Sequence, residues 1–467
     1  MSTLIQIAYL VAAVLFILGL RNLSNPRTAV RGNALSAVGM LVAIVATLVA
    51  NEVMDYTVVA AGLVVGAGIG AVMATRIQMT AMPQMVALLN GFGGSASALV
   101  AGGELISAAQ TGESLAGGIV PFAVVLSILI GGITLTGSLV AFAKLQELVG
   151  GSAVTYPLQK SANALLGVLV IGAAVSLTVD PLNLATLSVL VGLSLLLGVL
   201  LVLPIGGADM PVVISLLNSY SGLAACATGF VLDNSALVVS GSLVGASGLI
   251  LTRIMCDAMN RSLGNVLFGA FGAEEGVASV SAEGGVEQGS VTAYTPIDAA
   301  VVLSSALRVI IVPGYGMAVA QAQHAVRELS DLLISEGIQV QFAIHPVAGR
   351  MPGHMNVLLA EADVPYEQLV EMDEINPQFL ETDVALVLGA NDVVNPQARS
   401  DVSSPIYGMP ILDVDRAKHV FVIKRGMSTG FAGIQNPLFF HDNTMMIFGD
   451  AKKVMIQLAE AVRDYTS

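Results

Sequence analysis

Long uninterrupted apolar stretches fill the first part of the chain, and shorter alternating ones fill the rest. The long stretches lie at 4–20, 34–50, 57–75, 83–108, 118–143, 162–179, 184–204, 210–232 and 235–259. About 20 consecutive apolar residues suffice for a helix to cross the hydrocarbon core of a bilayer. The pattern therefore predicts a polytopic α-helical membrane domain with about nine spans, of which the first is short and the third marginal.

Charged residues in this part of the chain separate into two groups of loops. The cations all follow odd-numbered spans: Arg21, Arg27, Arg31, Arg76, Lys144, Lys160, Arg253 and Arg261. The alternate loops carry only acids: Glu52, Asp55, Glu113, Asp180 and Asp233. Because positively charged loops stay on the cytoplasmic side, the N-terminus is predicted outside and the C-terminal part in the cytoplasm. The first stretch lacks a basic leader region, so it is interpreted as a span and not as a removable signal.

The remaining sequence predicts a second domain of a different kind. Residues 264–296 are rich in Gly, Ala, Ser and Glu and predict a linker between a membrane domain at 1–263 and a soluble domain at 297–467. Apolar runs at 309–312, 339–344, 384–390, 419–423 and 444–448 predict strands. Helical spacing between the runs favours a Rossmann-like, doubly wound parallel sheet.

The amino-acid composition argues against a wholly soluble protein, a nucleic-acid partner and a metal site. Only 11% of the residues are charged, far below a soluble protein of this size. Residues 290–467 carry 11 Lys and Arg against 20 Asp and Glu, without a basic stripe, so no nucleic-acid partner is expected. Cys226 and Cys256 lie in apolar segments without metal-ligand spacing, and no metal site is predicted.

A glycine turn follows the first strand of the soluble domain. Pro313 ends the strand, Gly314 and Gly316 follow, and a segment with helical spacing continues from Val319 to Glu336. Strand, glycine turn and helix together present backbone N–H groups to a pyrophosphate. The third fingerprint position holds Val319 instead of Gly or Ala, so an ordinary strand-to-helix turn is the alternative.

The ends of the later strands add candidate ligand contacts. No Asp or Glu for a ribose 2′-hydroxyl follows the second strand, and Arg350 lies there instead, which favours NADP over NAD. Asn391 and Asp392 follow the third strand. Lys424 and Arg425 end the fourth strand and suit a phosphate, with a solvated surface pair as the alternative.

Polar residues within the spans are few. Asn90, Ser138 and Asn218 lie at comparable depths of the fourth, fifth and eighth spans. They are either functional or simple interhelical hydrogen bonds. Asp209 opens the eighth span at the inner face, where it is a proton-path candidate or only a helix cap.

Several longer blocks carry a family resemblance. They are Gly206–Val212, Leu217–Gly222, Ile254–Arg261, Pro313–Val319, His345–His354, Gly389–Asp392 and Lys424–Met427. Together with the domain order, they make nearly the whole chain resemble the beta subunit of the proton-translocating NAD(P) transhydrogenase. The resemblance implies an oxidoreductase of the bacterial inner membrane that binds NADP(H) and holds the larger share of a proton channel.

The resemblance also implies partners. An alpha subunit, in one or two chains, would bind NAD(H), and two alpha-beta units would form a dimer in the lipid bilayer. A transporter or channel with an NADP-sensing cytoplasmic domain is the alternative. The sequence contains neither a Thr-Val-Gly-Tyr-Gly filter nor a visible repeat to support it.

The resemblance assigns roles residue by residue. The cofactor-binding set comprises Gly314, Tyr315, Gly316, Met317, Ala318, Val319, Gly349, Arg350, Met351, Pro352, Gly389, Ala390, Asn391, Asp392, Lys424, Arg425, Gly426, Ser428, Gly430, Phe431 and Ala432. Asp392 is also the expected catalytic residue, coupling occupancy of the site to protonation. The expected proton path comprises Asn90, Ser138, Asp209 and Asn218.

Two positions depart from many relatives. Some relatives have histidine where Asn90 stands, and many have tyrosine where Phe431 stands. Since asparagine does not titrate near neutral pH, the titrating group of the path is expected to come from the alpha subunit.

Overall fold

The computed structural model describes residues 3–23, 28–50, 56–112, 118–146, 148–149, 154, 158–268, 291–351, 353–404, 406–430 and 432–466. The chain divides into two compact units. The membrane unit comprises residues 1–253 and 267–271, and the sheet unit comprises residues 254–266 and 272–467. The predicted fold class is confirmed, because long apolar helices precede an all-parallel sheet flanked by helices.

Within the described residues, nine helices are long and apolar enough to cross a membrane. They are α1 (Thr3–Leu23), α2 (Ala29–Ala50), α3 (Tyr56–Arg76), α4 (Met82–Thr111), α5 (Val120–Leu145), α6 (Gln159–Val179), α7 (Leu184–Val202), α8 (Met210–Val231) and α9 (Ser235–Ala258). Each coincides with one of the predicted stretches, so the chain is a membrane protein with the predicted number of spans. A short helix, α10 (Leu263–Phe268), follows.

Helices α4, α5 and α8 pack against one another at the centre of the membrane unit. Glycines bring α4 and α5 into backbone contact: a Cβ on Gly131 would lie only 2.4 Å from the carbonyl oxygen of Gly94. A Cβ on Gly94 would lie 2.8 Å from the carbonyl oxygen of Gly131. Small residues drive such association in lipid, where the hydrophobic effect between helices is weak.

The sheet unit contains seven parallel strands in its described part. They are β1 (Thr292–Ala293), β2 (Arg308–Pro313), β3 (Gln339–Ile344), β4 (Leu369–Glu371), β5 (Val384–Leu388), β6 (His419–Lys424) and β7 (Thr444–Phe448). Their order is β1-β7-β6-β5-β2-β3-β4. The five predicted strands are all present, whereas β1 and β4 are too short to leave a sequence pattern. Residues 292–293 and 263–268 fall near the ends of the predicted linker, and its stretch 269–290 lies outside the described residues.

Helices cover the sheet on both faces. They are α11 (Pro296–Ser304), α12 (Tyr315–Val319), α13 (Gln323–Ser335), α14 (His354–Glu361), α15 (Met372–Ile375), α16 (Gln397–Ser400) and α17 (Ala451–Thr466). Helices α11 and α13 both pack on α17. On the opposite side, alternate strand residues such as Ile310 and Val312 pack against Phe379, Leu412 and neighbouring apolar residues of short helical turns.

The helix predicted to run on from the glycine turn is interrupted, which corrects that prediction. Helix α12 ends at Val319, and α13 begins only at Gln323. Gln321 between them adopts the left-handed conformation, with φ +50°, and the Ala322 N–H bonds back to the Met317 carbonyl at 3.0 Å. The apolar spacing continues across this break, so periodicity alone did not reveal it.

The strand order creates a crevice at one place. From β2 the chain crosses to β3 on one side, and it later returns to β5 on the other side of β2. The carboxyl ends of β2 and β5 therefore flank the point where the winding direction reverses. In open parallel sheets this switch point is where ligands bind.

The close approach of α4 and α5 yields a stability prediction. We expect Gly94→Val to lower the melting temperature of the detergent-solubilised chain, because its side chain collides with the Gly131 backbone at a cost of about 1–3 kcal/mol. Gly103→Val is the matched control, since a Cβ at Gly103 on the same helix meets nothing within 4 Å. Equal melting temperatures for the two variants would contradict this packing.

Candidate functional site

The turns after β2 and β5 lie backbone against backbone. The Gly314 N–H donates to the Leu388 carbonyl and the Gly316 N–H to the Gly389 carbonyl, both at 2.9 Å. A Cβ on Gly314 would lie 2.5 Å from the Ala390 nitrogen, and one on Gly389, where φ is +62°, would lie 2.3 Å from the Gly316 Cα. The two turns therefore form one platform that accepts no larger residue at these glycines.

Helix α12 turns two of its side chains inward. Met317 and Ala318 are fully buried, whereas Val319 is 46% exposed. Gly314 precedes the helix in an extended conformation. A ligand at this turn would therefore meet the backbone of Met317 and Ala318 and not their side chains.

The loop after β3 meets the glycine turn through three side chains. The Arg350 guanidinium carbon lies 4.5 Å from the centre of the Tyr315 ring. The His354 ring centre lies 5.9 Å from the same ring. The Arg350 backbone N–H donates to His354 Nδ1 at 3.0 Å, and Gly349 has φ +105°. Met351 belongs to this loop, while Pro352 lies outside the described residues.

Asp392 joins the loop after β5 to the loop after β6. Its Oδ2 accepts a hydrogen bond from the Ala432 N–H at 2.9 Å. The Asn436 side chain donates to the carbonyl and side-chain oxygens of Asn391 at 3.0 and 3.1 Å. A Cβ on Gly430 would lie 2.3 Å from Asp392 Oδ1, so a larger residue would have to displace this carboxylate.

The two cations at the end of β6 diverge. Lys424 Nζ donates to the Ser428 carbonyl at 2.6 Å and lies 4.8 Å above the Phe439 ring. Burial lowers the pKa of Lys424, and the nearby Asp392 carboxylate acts in the opposite direction. Arg425 is exposed and pairs with Asp450 at 3.1 Å.

All four predicted groups of cofactor residues lie at the carboxyl edge of the sheet, in the loops that follow β2, β3, β5 and β6. Phe431 lies outside the described residues, and Gly426 follows the cations in the same loop. The sequence prediction missed His354 and Asn436, which hold these loops. A signal for Asn436 was available, because an Asn followed by Pro437 is typical of a helix start.

Two of the membrane candidates lie among α4, α5 and α8. The Asn90 side chain on α4 donates to the Ile214 carbonyl on α8 at 3.2 Å. Ser138 on α5 is fully buried, and its hydroxyl has no hydrogen-bond partner among the described residues. Gly91, beside Asn90, packs against Ser138, since a Cβ there would lie 3.2 Å from the Ser138 Cβ.

The other two candidates belong to the start and middle of α8. Asn218 is half-buried and lies one helical turn after Ile214, on the same side of the helix. Asp209 precedes the helix, is buried, and makes no side-chain cap. Asp209 therefore stands at the N-cap position of α8 without a side-chain capping hydrogen bond, whereas Asn90 does make an interhelical bond.

These features define a class: a multi-pass membrane protein with a Rossmann-like domain whose glycine turn lies at the switch point. A family model described as NAD(P) transhydrogenase beta subunit matches residues 5–461. The chain is 52% identical over 463 residues to the "NAD(P) transhydrogenase subunit beta" of Rhodospirillum rubrum, covering 98% of this chain and 99% of that protein. A relative of the same name from a designated strain of that species gives the same values. The chain belongs to the NAD(P) transhydrogenase beta subunit family.

Membership confirms the resemblance found in the sequence motifs. The family is one of oxidoreductases whose name implies the use of NAD(H) and NADP(H), and a beta subunit implies an alpha subunit as its partner.

Two buried histidines make the stability of the sheet unit depend on pH. His345 Nε2 lies 2.8 Å from the Pro410 carbonyl, and its Nδ1 accepts from the Val347 N–H at 3.2 Å. Burial lowers the pKa of His345 to about 4. Burial, aided by the Arg350 charge, lowers the pKa of His354 to about 4.

We expect stability to be constant above the unfolded-state pKa of about 6.5 and to fall as pH drops from there towards 4, because only the unfolded chain binds these protons. Each histidine should remove about 2 kcal/mol by pH 5. Chemical unfolding at pH 8 and pH 5 measures this loss. The double variant His345→Asn with His354→Asn should lose correspondingly less, and an unchanged pH dependence would contradict the assignment.

Proposed function

We propose that this chain binds NADP(H) in its sheet unit and couples hydride transfer between NAD(H) and NADP(H) to proton translocation across the membrane. The alpha subunit, in one or two chains, holds NAD(H). The observation that carries this proposal is the convergence of the glycine platform, Arg350 and Lys424 on one edge of the sheet, at its switch point. Family membership supports the pairing of the two cofactors.

The residues present fit NADP(H). The Cβ-free surface of Gly314 and Gly316 permits close backbone approach of a pyrophosphate. Arg350 lies over the neighbouring Tyr315 ring, where its charge suits the same phosphates. No acid follows β3, and Lys424 with Arg425 would hold the 2′-phosphate that distinguishes NADP from NAD. Arg425 would exchange its exposed ion pair with Asp450 for that phosphate.

When bound, the cofactor supplies the hydride chemistry, and the protein supplies orientation and charge. Asp392, the proposed catalytic residue, would lie on the nicotinamide side of this site. Its carboxylate accepts the Ala432 N–H, and an ionised acceptor makes the stronger hydrogen bond. Protonation of Asp392 would therefore weaken its attachment to the loop after β6, which carries the phosphate contacts. Occupancy of the site and protonation are thereby linked.

The proton path runs through the membrane unit along Asn90, Ser138 and Asn218, with Asp209 at its inner end. Amide and hydroxyl groups donate and accept hydrogen bonds, so they order water without storing a proton. The hydroxyl of Ser138, which has no partner among the described residues, suits such a role. The titrating group comes from the alpha subunit.

The proposed function also implies a membrane location, an orientation and an assembly for the chain. The chain spans the bacterial inner membrane with its N-terminus outside and its sheet unit in the cytoplasm, as the distribution of cations supports. It functions in a dimer of alpha-beta units.

The cofactor assignment is tested by removing the two cations. We expect Lys424→Ala with Arg425→Ala to weaken NADP(H) binding by a few kcal/mol, about the loss of two charge-assisted contacts. Calorimetry on a fragment of residues 290–467 measures the affinity. Lys418→Ala with Arg463→Ala is the matched control, because these exposed cations pair with Asp383 and Glu328. Equal affinity of the parent for NAD and NADP would overturn the assignment.

The proton path is tested in vesicles. Asn90→Leu and Asn218→Leu should abolish proton-coupled rates in both directions while NADP(H) still binds. Thr136→Val is the control, because the Thr136 hydroxyl donates to the Leu195 carbonyl of α7 at 2.7 Å and so bonds α5 to α7 instead. A mutant that pumps protons at the parent rate would show that its asparagine is structural only.

A further inference from the structure

Two buried histidines flank the loop after β3, and each accepts a hydrogen bond from the loop backbone. His345 precedes the loop and His354 follows it, and both are at most 2% exposed. Each accepts a backbone N–H of the loop at Nδ1: the Val347 N–H at 3.2 Å for His345 and the Arg350 N–H at 3.0 Å for His354. Burial lowers the pKa of both to about 4, so both are neutral at physiological pH.

Only His354 contacts the proposed cofactor groups. Its ring lies 5.9 Å from the Tyr315 ring, which belongs to the glycine turn. The Arg350 guanidinium lies 4.5 Å from the centre of the same Tyr315 ring. A Cβ on Gly349 would lie 2.6 Å from His354 Nδ1, so the loop backbone packs directly on the imidazole. His345 turns its Nε2 to the Pro410 carbonyl instead.

The hydrogen bonding of His354 shows what the residue contributes. Because Nδ1 accepts the Arg350 N–H, the ring proton of the neutral imidazole is on Nε2. That Nε2 is buried without a hydrogen-bond partner among the described residues. A buried donor without a hydrogen-bond partner is destabilising. A leucine of similar size has no such donor and would avoid this cost. The favourable contribution of the histidine is therefore its Nδ1 acceptor and its contact with Tyr315.

We propose that His354 is a positioning residue for NADP(H): it fixes the Arg350 backbone and packs against Tyr315, so that the guanidinium is already held at the glycine turn when the cofactor binds. This inference rests on the proposed function. An arginine has many side-chain conformations, and restricting them before binding lowers the entropic loss on binding.

The geometry gives this role a physical basis. Gly349 and Gly353, on either side of Arg350, have φ of +105° and +65°, and glycine restricts its own backbone less than any other residue. The bond from the Arg350 backbone N–H to His354 Nδ1 closes the chain across Gly353 and restrains the residue that carries the charge. Without the Nδ1 acceptor, the Arg350 backbone would no longer be hydrogen-bonded to the residue that packs against Tyr315.

The experiment is a double-mutant cycle on the full-length chain in complex with its partner subunit in detergent, with NADPH binding followed by its fluorescence. We expect His354→Leu to weaken NADPH about tenfold, the equivalent of one hydrogen bond. His354→Asn should stay within about threefold of the parent, because its Oδ1 takes the place of Nδ1 as acceptor. In an Arg350→Ala background, His354→Leu should change the Kd by less than about twofold.

His345→Leu is the matched control, since it removes the same kind of acceptor from the same loop without a contact to Tyr315 or Arg350. Its effect on the Kd should be the same factor in the parent and in the Arg350→Ala background. If the leucine variant of His354 does not assemble, His354→Gln replaces it. A glutamine amide reaches the Nε2 position and leaves the Arg350 N–H without its acceptor.

Two results would overturn the inference. One is an equal loss from His354→Leu in both backgrounds, which would make the residue a general support of the fold. The other is an asparagine variant as weak as the leucine variant. A parent complex that fails to bind NADPH would instead refute the proposed function, and this inference would fall with it.

Discussion

The contact between the backbones of the turns after β2 and β5 determines where the other groups of the site lie. Gly316 donates to Gly389, and neither position has space for a Cβ. Tyr315 lies beside one partner of this contact, and Asp392 lies three residues beyond the other. The contact between the two turns thus sets the positions of both Tyr315, on which Arg350 stacks, and the Asp392 carboxylate, which accepts from Ala432. A shift of either turn would move both.

Two further loops are attached to this platform by different interactions. The loop after β3 is held by His354 and by the stacking of Arg350 on Tyr315, which are short-range contacts of a neutral ring and a cation. The loop after β6 is held by a carboxylate and by the buried Asn436. One attachment is therefore insensitive to protonation near neutral pH, whereas the other includes an acid. Under the proposed function, this difference would let the loop that carries Arg350 stay fixed while the loop after β6 responds to a proton.

The sequence predicted those features that depend on long, regular patterns. The spans and the central strands appeared because lipid and a doubly covered sheet both require continuous apolar runs. The break around Gln321 was not predictable, since a single left-handed residue leaves the apolar spacing intact. The divergence of Lys424 and Arg425 was not predictable, since Arg425 lies just beyond the end of β6 and its pairing with Asp450 is a tertiary contact. The proposed role of His354 depends on which ring nitrogen accepts a hydrogen bond, and that is set by tertiary contacts alone.

The pairing of β1 with β7 has a consequence for how the protein is made. Ribosomes release the chain from its N-terminus, so Thr292 and Ala293 emerge long before their partners Met445 and Met446. That edge of the sheet can close only after β7 has been synthesised, when the membrane helices in the described part of the chain have already left the ribosome. During translation the sheet unit therefore stays incomplete until β7 has been synthesised. A nascent chain truncated before β7 would leave both β1 and β6 with an open edge.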